Sequence, residues 1–374
     1  MQIAPPEFHL ARHARLRDDL RAASVDALIV TSLPNLAYLT GLFATAGAAI
    51  LSRERLALIV DGRYAVTANA RQQMLDGVDV VVVPQSGSYE DTIAAVAGTF
   101  GNGRVGFEDG QMTVRQHREV SARVAAIDSS IEMTATTGMV ERCRAVKDVW
   151  ELQTLRDAAG RLSDAAKCII PKALAGQLER QLAAAIDAEL RHVGFDKPAF
   201  DTIVAAGPNS AVPHHRAGDG VLDTGDLVIL DFGGMLNGYA VDMTRTVVIG
   251  GPRPRERRLL EQVVEAQAAA FAAIEIGRAA TDIDRAARHV LEREGLGAAF
   301  SHGTGHGLGL EVHERPRLTN YRPELPAEPL AAGMVFTLEP GVYLEGWGGV
   351  RIEDDVVVTA GGAEWLTDVP RLYE

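Results

Sequence analysis

Apolar and polar positions follow one another along this chain in two different rhythms. Over the first 140 residues helical and strand periods take turns: a helix over 7–23, a strand at ALIV (27–30), a helix over 34–41 and paired apolar runs within 48–60. A helix over 64–75, a strand at VVVV (80–83), a helix over 89–98, strand RVGFE (104–108), a helix over 112–124 and a strand near 131 continue the series. Short apolar runs between amphipathic segments predict an α/β domain with a mixed sheet. This stretch carries no obvious catalytic cluster.

From about residue 139 the rhythm changes. A charged segment makes 136–147 the expected linker, which places domain boundaries at 1–138 and 139–374. Two long helices are predicted over 148–172 and 177–193, then strands with glycine-rich turns, interrupted by helices over 254–276 and 281–295. Strands and helices arriving in blocks predict an α+β fold with an antiparallel sheet.

Two segments of the second domain have the same plan. LVILDFGGMLNGYAVDMTRTVVI (227–249) reads as two strands around an Asn-Gly turn, and VFTLEPGVYLEGWGGVRIEDDVVV (335–358) as two strands around a glycine-rich one. With the first turn centred near 237–238, Asp231 and Asp242 fall almost opposite one another; a second centre near 346 does the same for Glu339 and Glu353. Opposed residues of an antiparallel pair hold their Cβ atoms about 4.5–5.5 Å apart. Four carboxylates are therefore expected to converge. A carboxylate among Val, Ile, Leu and Phe is destabilising unless a cation accompanies it. That cation is either a guanidinium, from Arg245 or Arg351, or a metal ion; two such pairs in one domain favour the metal.

Composition narrows the range of partners. A length of 374 residues fits two domains. With 37 basic and 50 acidic side chains the net charge is −13, which argues against binding nucleic acid or an anionic membrane surface. The N-terminal MQIAPPEFHLARHARLRDD lacks the apolar core of a secretory signal, and runs such as VDVVVVP (78–84) fall far short of the ~20 residues of a membrane span. A soluble, cytoplasmic protein is expected. Cys143 and Cys168 are its two cysteines, which suits a reducing compartment without a disulfide; Cys168, in a helical pattern, is expected to be buried.

The stretch HGTGHGLGLEVHE (302–314) sets three histidines among four glycines. GTGHGLG has no third glycine three residues after a G-x-G and no GK[ST] behind it, so it matches neither common phosphate loop. Arg-Pro-Arg after His313 and Glu314 breaks the HExxH zinc pattern. One imidazole from this stretch would instead complete a set of four carboxylates around two divalent ions. GPNSAVPHHR (207–216), ending in His214 and His215, reads by itself as an exposed polar loop.

Taken together, GPNSAVPHH, LDFGG...GYAVDMTRT, HGTGHGLGLEVHE, TLEPGVY and VRIEDD resemble, in order and spacing, the creatinase, prolidase and aminopeptidase P branch of the pita-bread metallopeptidases. The resemblance covers nearly the whole chain. It implies a creatinase-like α/β domain at the N-terminus, to which VDGRYAVTANAR (60–71) corresponds, and a catalytic pita-bread domain after it. Carried over by motif, the metal ligands are Asp231, Asp242, His306, Glu339 and Glu353. Val241 stands where serine is more usual, and Gly234 where alanine is; neither is a ligand. Creatinases on this fold lack the five-residue set, so its presence argues against that activity.

The chemistry implied is hydrolysis of the bond between an N-terminal residue and a following proline. Two ions about 3.5–4 Å apart lower the pKa of a bridging water and hold the hydroxide for attack on the carbonyl carbon. Glu339 is implied as the proton carrier, His214 as a contact to the tetrahedral intermediate or substrate carbonyl, His313 as a contact beyond the scissile bond, and Arg351 and His302 as support. Manganese is the expected metal on oxygen-rich ligation, with cobalt and zinc compatible with the imidazole. The expected partners are a small peptide with proline second and, from the resemblance, a second copy in a homodimer. Dipeptidase and aminopeptidase activity stay open. Two other readings are a hydrolase of a non-prolyl amide, ester or organophosphate at the same metals, and a non-catalytic binding protein on this fold.

Overall fold

The computed structural model describes residues 1–100, 103–319 and 328–373. Residues 2–144 and 145–374 form two compact units. Among the described residues no helix is long and apolar enough to cross a membrane.

In the first unit, β1 (Ala27–Val30), β2 (Ala48–Ser52), β3 (Leu56–Val60), β4 (Val78–Val82), β5 (Arg104–Glu108) and β6 (Glu132–Thr136) form a sheet in the order β4-β3-β2-β1-β5-β6. β2 pairs antiparallel with β1 and β3, and the other pairs are parallel, giving a mixed sheet. Every residue of β1, β2 and β3 is buried, which is why these strands read as unbroken apolar runs. Helices α1 (Pro6–Ala22), α2 (Leu33–Thr40), α3 (Ala65–Met74), α4 (Tyr89–Ala97), α5 (Val114–Ile127) and α6 (Met139–Ala145) complete this part of the chain.

In the second unit the helices are α7 (Val149–Ile169), α8 (Glu179–His192), α9 (Pro254–Ala272) and α10 (Ala280–Arg293). Asp148 and Glu151 form a capping box that starts α7. The strands are β7 (Lys197–Pro198), β8 (Ile203–Ala206), β9 (Leu227–Leu236), β10 (Tyr239–Val248), β11 (Gly305–Gly307), β12 (Glu314–Leu318), β13 (Val335–Leu338), β14 (Gly341–Leu344), β15 (Gly348–Arg351), β16 (Asp354–Thr359) and β17 (Gly362–Trp365). One sheet runs β10-β9-β7 with β8 also on β9, a second runs β12-β11-β13-β16-β17, and β14 pairs β15. The fold is α+β.

Each hairpin is backed by its own pair of helices. Leu155, Leu162, Leu182 and Ile186 of α7 and α8 pack with Leu230, Phe232, Val241 and Met243. Leu260, Val263, Ile283 and Ala287 of α9 and α10 pack with Phe336, Leu338, Val356 and Val358. Successive side chains of a strand point to opposite faces. Asp231, Asp242, Glu339 and Glu353, one step out of phase with those apolar residues, therefore turn away from the helices.

The register differs from the sequence expectation in two places. A two-residue Asn237-Gly238 turn pairs Leu236 with Tyr239, so Asp231 lies opposite Thr244 and Asp242 opposite Gly233. The two aspartates keep one face but stand diagonally. The second hairpin is not continuous: β13–β16 and β14–β15 share one register, and Glu339-Pro340 and Ile352-Glu353 are the positions between the two ladders. Cys168 also departs from expectation. It is exposed, beside Lys172 Nζ at 3.2 Å, because the buried side of α7 is carried by Ala165, Ala166 and Ile169.

In the first unit α1 docks on the C-terminal end of α2, whose last carbonyls lack donors within the helix. His9 Nδ1 and Arg12 Nη1 donate to Tyr38 O at 3.1 and 3.0 Å, and His13 Nε2 to Leu39 O at 2.7 Å. Burial is the main cause that lowers both histidines to about 4. Both are neutral when folded and protonate near 6.5 when unfolded. Stability is thus complete above pH 6.5 and is lost as pH falls towards 4, by on the order of 3 kcal/mol per histidine at the acid end. Hydrogen exchange of the α1 and α2 amides between pH 7 and 4.5 should show this loss of protection. His13→Gln, which keeps a donor for Leu39 O without a titrating ring, should remove about half of it, the share of His9 remaining.

Candidate metal centre

Five elements deliver the expected ligands. β9 carries Asp231, β10 Asp242 and β11 His306, while Glu339 follows β13 and Glu353 precedes β16. β11 lies close on β13 because residue 305 is glycine: a Cβ there would overlap the Thr337 carbonyl. The two sheets meet at a bridge between Thr244 and Glu353, where Glu353 N donates to Thr244 O at 3.1 Å.

Asp242, His306 and Glu353 each bring one ligand-type atom to within 4.8 Å of the others. His306 Nε2 is 3.5 Å from Glu339 Oε1 and 4.0 Å from Asp242 Oδ2. Asp231 is turned instead towards Arg351, whose Nη2 donates to its Oδ2 at 2.5 Å. Three of the five form one compact group, a fourth adjoins it, and the fifth is held by a guanidinium.

The electrostatics of the group call for a cation. Burial raises Asp242 well above the usual carboxylate range, and the charges of Glu353 and Asp231 add to this. Glu353 is likewise raised by burial and then by Glu339 and Asp231. Glu339 is pushed up to about 8, burial again outweighing the opposing pull of Arg351. Asp231 Oδ1 and Asp242 Oδ1 are buried with no hydrogen-bond partner among the described residues. Burial, and next the neighbouring His313, lowers His306 to about 3, so its ring is neutral. With Nδ1 donating to Gly307 O at 3.2 Å, Nε2 presents its lone pair to the carboxylates. Four carboxylates with unused lone pairs and one neutral imidazole fit a pair of divalent cations, with charges that cancel.

Around this group lies a connected set of polar side chains. Arg351 donates to Asp231, to Thr244 Oγ1 at 3.2 Å and to Tyr343 Oη at 2.7 Å. Tyr343 Oη is 2.8 Å from His302 Nε2. Thr244 Oγ1 donates to Glu353 Oε2 at 2.6 Å, and Thr337 Oγ1 accepts from His306 N at 3.2 Å. Arg245 pairs not with a ligand but with Asp354, at 2.6 Å and fully buried. Asp355 Oδ2 accepts from Asp242 N at 3.2 Å. His302 is lowered to about 4 by burial, with smaller effects of Arg351 and His214.

His313 is exposed and its ring meets that of His306, with centroids 4.2 Å apart. His214 is exposed in the loop after β8, near enough for its charge to act on both His302 and His313. His215, one residue on, is turned away to Glu179 at 2.9 Å. Sequence reasoning passed over Thr244, Thr337, Tyr343 and Asp355, although each lies within or beside a motif it had marked. Glu179 carries no local signal at all.

Comparison with known proteins places the whole chain. The description of metallopeptidase family M24 matches residues 153–360, and that of the creatinase/prolidase N-terminal domain residues 12–146. The peptidase YqhT of Bacillus subtilis is 36% identical over 357 residues, covering 96% of this chain and 98% of that protein. The solved Xaa-Pro dipeptidase of Bacillus anthracis has a TM-score of 0.89 at 32% identity, covering 98% of this chain and 100% of that one. The solved X-Pro aminopeptidase of Thermotoga maritima has a TM-score of 0.82 at 31% identity, covering 95% and 99%. The likeness to these peptidases extends along almost the full length of the chain, and the chain belongs to metallopeptidase family M24.

Proposed function

We propose that this protein is a metallo-exopeptidase that hydrolyses the bond between an N-terminal residue and a following proline, with two divalent ions held by Asp231, Asp242, His306, Glu339 and Glu353. The observation that carries this reading is the uncompensated acid cluster around a neutral imidazole, in a chain similar along its length to Xaa-Pro peptidases. Bound there, the ions would acidify a water and polarise the scissile carbonyl. Oxygen-rich ligation supports manganese. The family resemblance supports a homodimer, and the unpaired Cys143 and Cys168 support a reducing compartment.

The chain's own groups divide the remaining work. Glu339, the most exposed carboxylate of the set, takes the proton from the attacking water and returns it to the leaving nitrogen. His214 and His313, exposed at the rim, contact the substrate on either side of the scissile bond. Arg351 orients Asp231, and Tyr343 couples Arg351 to His302.

One further observation favours dipeptides. His306 and Arg317 are direct partners in the β11–β12 ladder, and opposed residues of an antiparallel pair share a face. Arg317 is exposed, its charge acts on His306 and His313, and its guanidinium has no partner among the described residues. A dipeptide's free carboxylate supplies the complementary group.

Metal-stripped protein given Mn²⁺ should hydrolyse Ala-Pro and Leu-Pro faster than Ala-Pro-Ala, and neither without metal. Two bound ions with no cleavage of any of these would leave the ligand set standing and remove the prolyl specificity. Asp242→Asn should abolish turnover and the gain in Tm on adding Mn²⁺, while the metal-free variant melts no lower than the metal-free parent, since a repelling charge has gone. Arg317→Ala should raise KM for Ala-Pro on the order of 10-fold with little change for Ala-Pro-Ala; equal effects on both would deny it the carboxylate.

A further inference from the structure

Glu179 begins α8, and its carboxylate is completely buried. Oε1 accepts from Ala206 N and Asn209 Nδ2, each at 2.9 Å, and Oε2 from His215 Nε2 at 2.9 Å and Gly218 N at 3.2 Å. These four donors run from the last residue of β8 to the return limb of the loop that leaves it, and exposed His214 lies between them. The backbone reinforces the same tie: Glu179 N donates to Gly220 O at 2.9 Å and Arg180 N to Gly218 O at 3.1 Å.

Only a carboxylate suits this position. Each oxygen receives two donors, one of them a backbone N–H, so an amide in either orientation would set its NH₂ against Ala206 N or Gly218 N. Burial by itself would raise the Glu179 pKa, but the donors from Asn209, Ala206, His215 and Gly218 outweigh it and hold the group below its usual range. Gly220 approaches so closely that a Cβ there would lie 2.6–2.8 Å from the carboxylate atoms. The loop is therefore gathered around one charge that lies on α8 and not in the loop.

We infer that Glu179 is a positioning residue for the reaction: by fixing His215 and both limbs of the loop it aims the adjacent His214 at the substrate. The inference rests on the role proposed above for His214. A merely structural Glu179 would affect the enzyme whether or not His214 were present. A positioning one acts through that histidine.

The test is a double-mutant cycle on the Mn²⁺-loaded full chain, with kcat and KM for Ala-Pro, bound metal and Tm measured for the parent, Glu179→Gln, His214→Ala and the double variant. Glu179→Gln should lower kcat on the order of 10- to 100-fold with metal content unchanged. In the His214→Ala background the same change should alter kcat by less than about twofold. Equal losses in both backgrounds, or parental kcat in Glu179→Gln alone, would overturn the inference and leave the function standing. Parental kcat in His214→Ala would overturn the histidine's role together with the inference, and lack of turnover by the metal-loaded parent would overturn the function itself. If Glu179→Gln does not fold, His215→Ala takes its place in the cycle, because that ring is 20% exposed and its loss strands no buried donor; the same two patterns decide.

Discussion

Mutual repulsion among carboxylates turned into one buried space is the constraint around which the second unit is arranged. The acids are largely buried, so each raises its neighbours' preference for the neutral form. The protein compensates one of them internally, through Arg351 on Asp231, and leaves Asp242, Glu353 and Glu339 without a protein cation to match. The next acid along, Asp354, is neutralised separately by fully buried Arg245, which keeps its charge out of the group. A frame that did not need a cation would have replaced these acids by apolar residues at no loss of packing.

Much of this was legible in the residues, because the informative signals were periodic. Continuous apolar runs marked β1, β2 and β3, and the Asn-Gly turn marked the β9–β10 hairpin. The period of two also assigned the acids to a common face, and that survives any error in locating the turn by a whole pair. The diagonal stagger of Asp231 and Asp242 was beyond reach, since it depends on which two residues make the turn. So was the interruption at Pro340 and Ile352, where the chain leaves one ladder and joins another. Glu179 was invisible for a different reason: its partners lie 27 to 39 positions away, and nothing in its own neighbourhood distinguishes it from a helix-starting glutamate. Cys168 was misjudged because a helical pattern tells which residues share a face, not how wide the buried face is.

The similarity to both a dipeptidase and an aminopeptidase follows from where the differences can lie. Asp231 and Asp242 lie in strands, and Glu339 and Glu353 beside strands, whose other faces are committed to helix packing, so they tolerate little change. His214 sits on a loop, His313 just before β12 and Arg317 at an exposed position of β12, where replacement costs the core little. Exposed positions around a fixed acid group are thus where such peptidases can differ.

The bridge between Thr244 and Glu353 joins residues 109 positions apart, and each belongs to a different hairpin with a different helical backing. The acids of the two hairpins come together only where this seam closes. Contacts so distant along the chain bear a large loop-closure cost. A chain in which this seam is open has its acids in two separate places, and the repulsion that a cation would relieve exists only in the closed form.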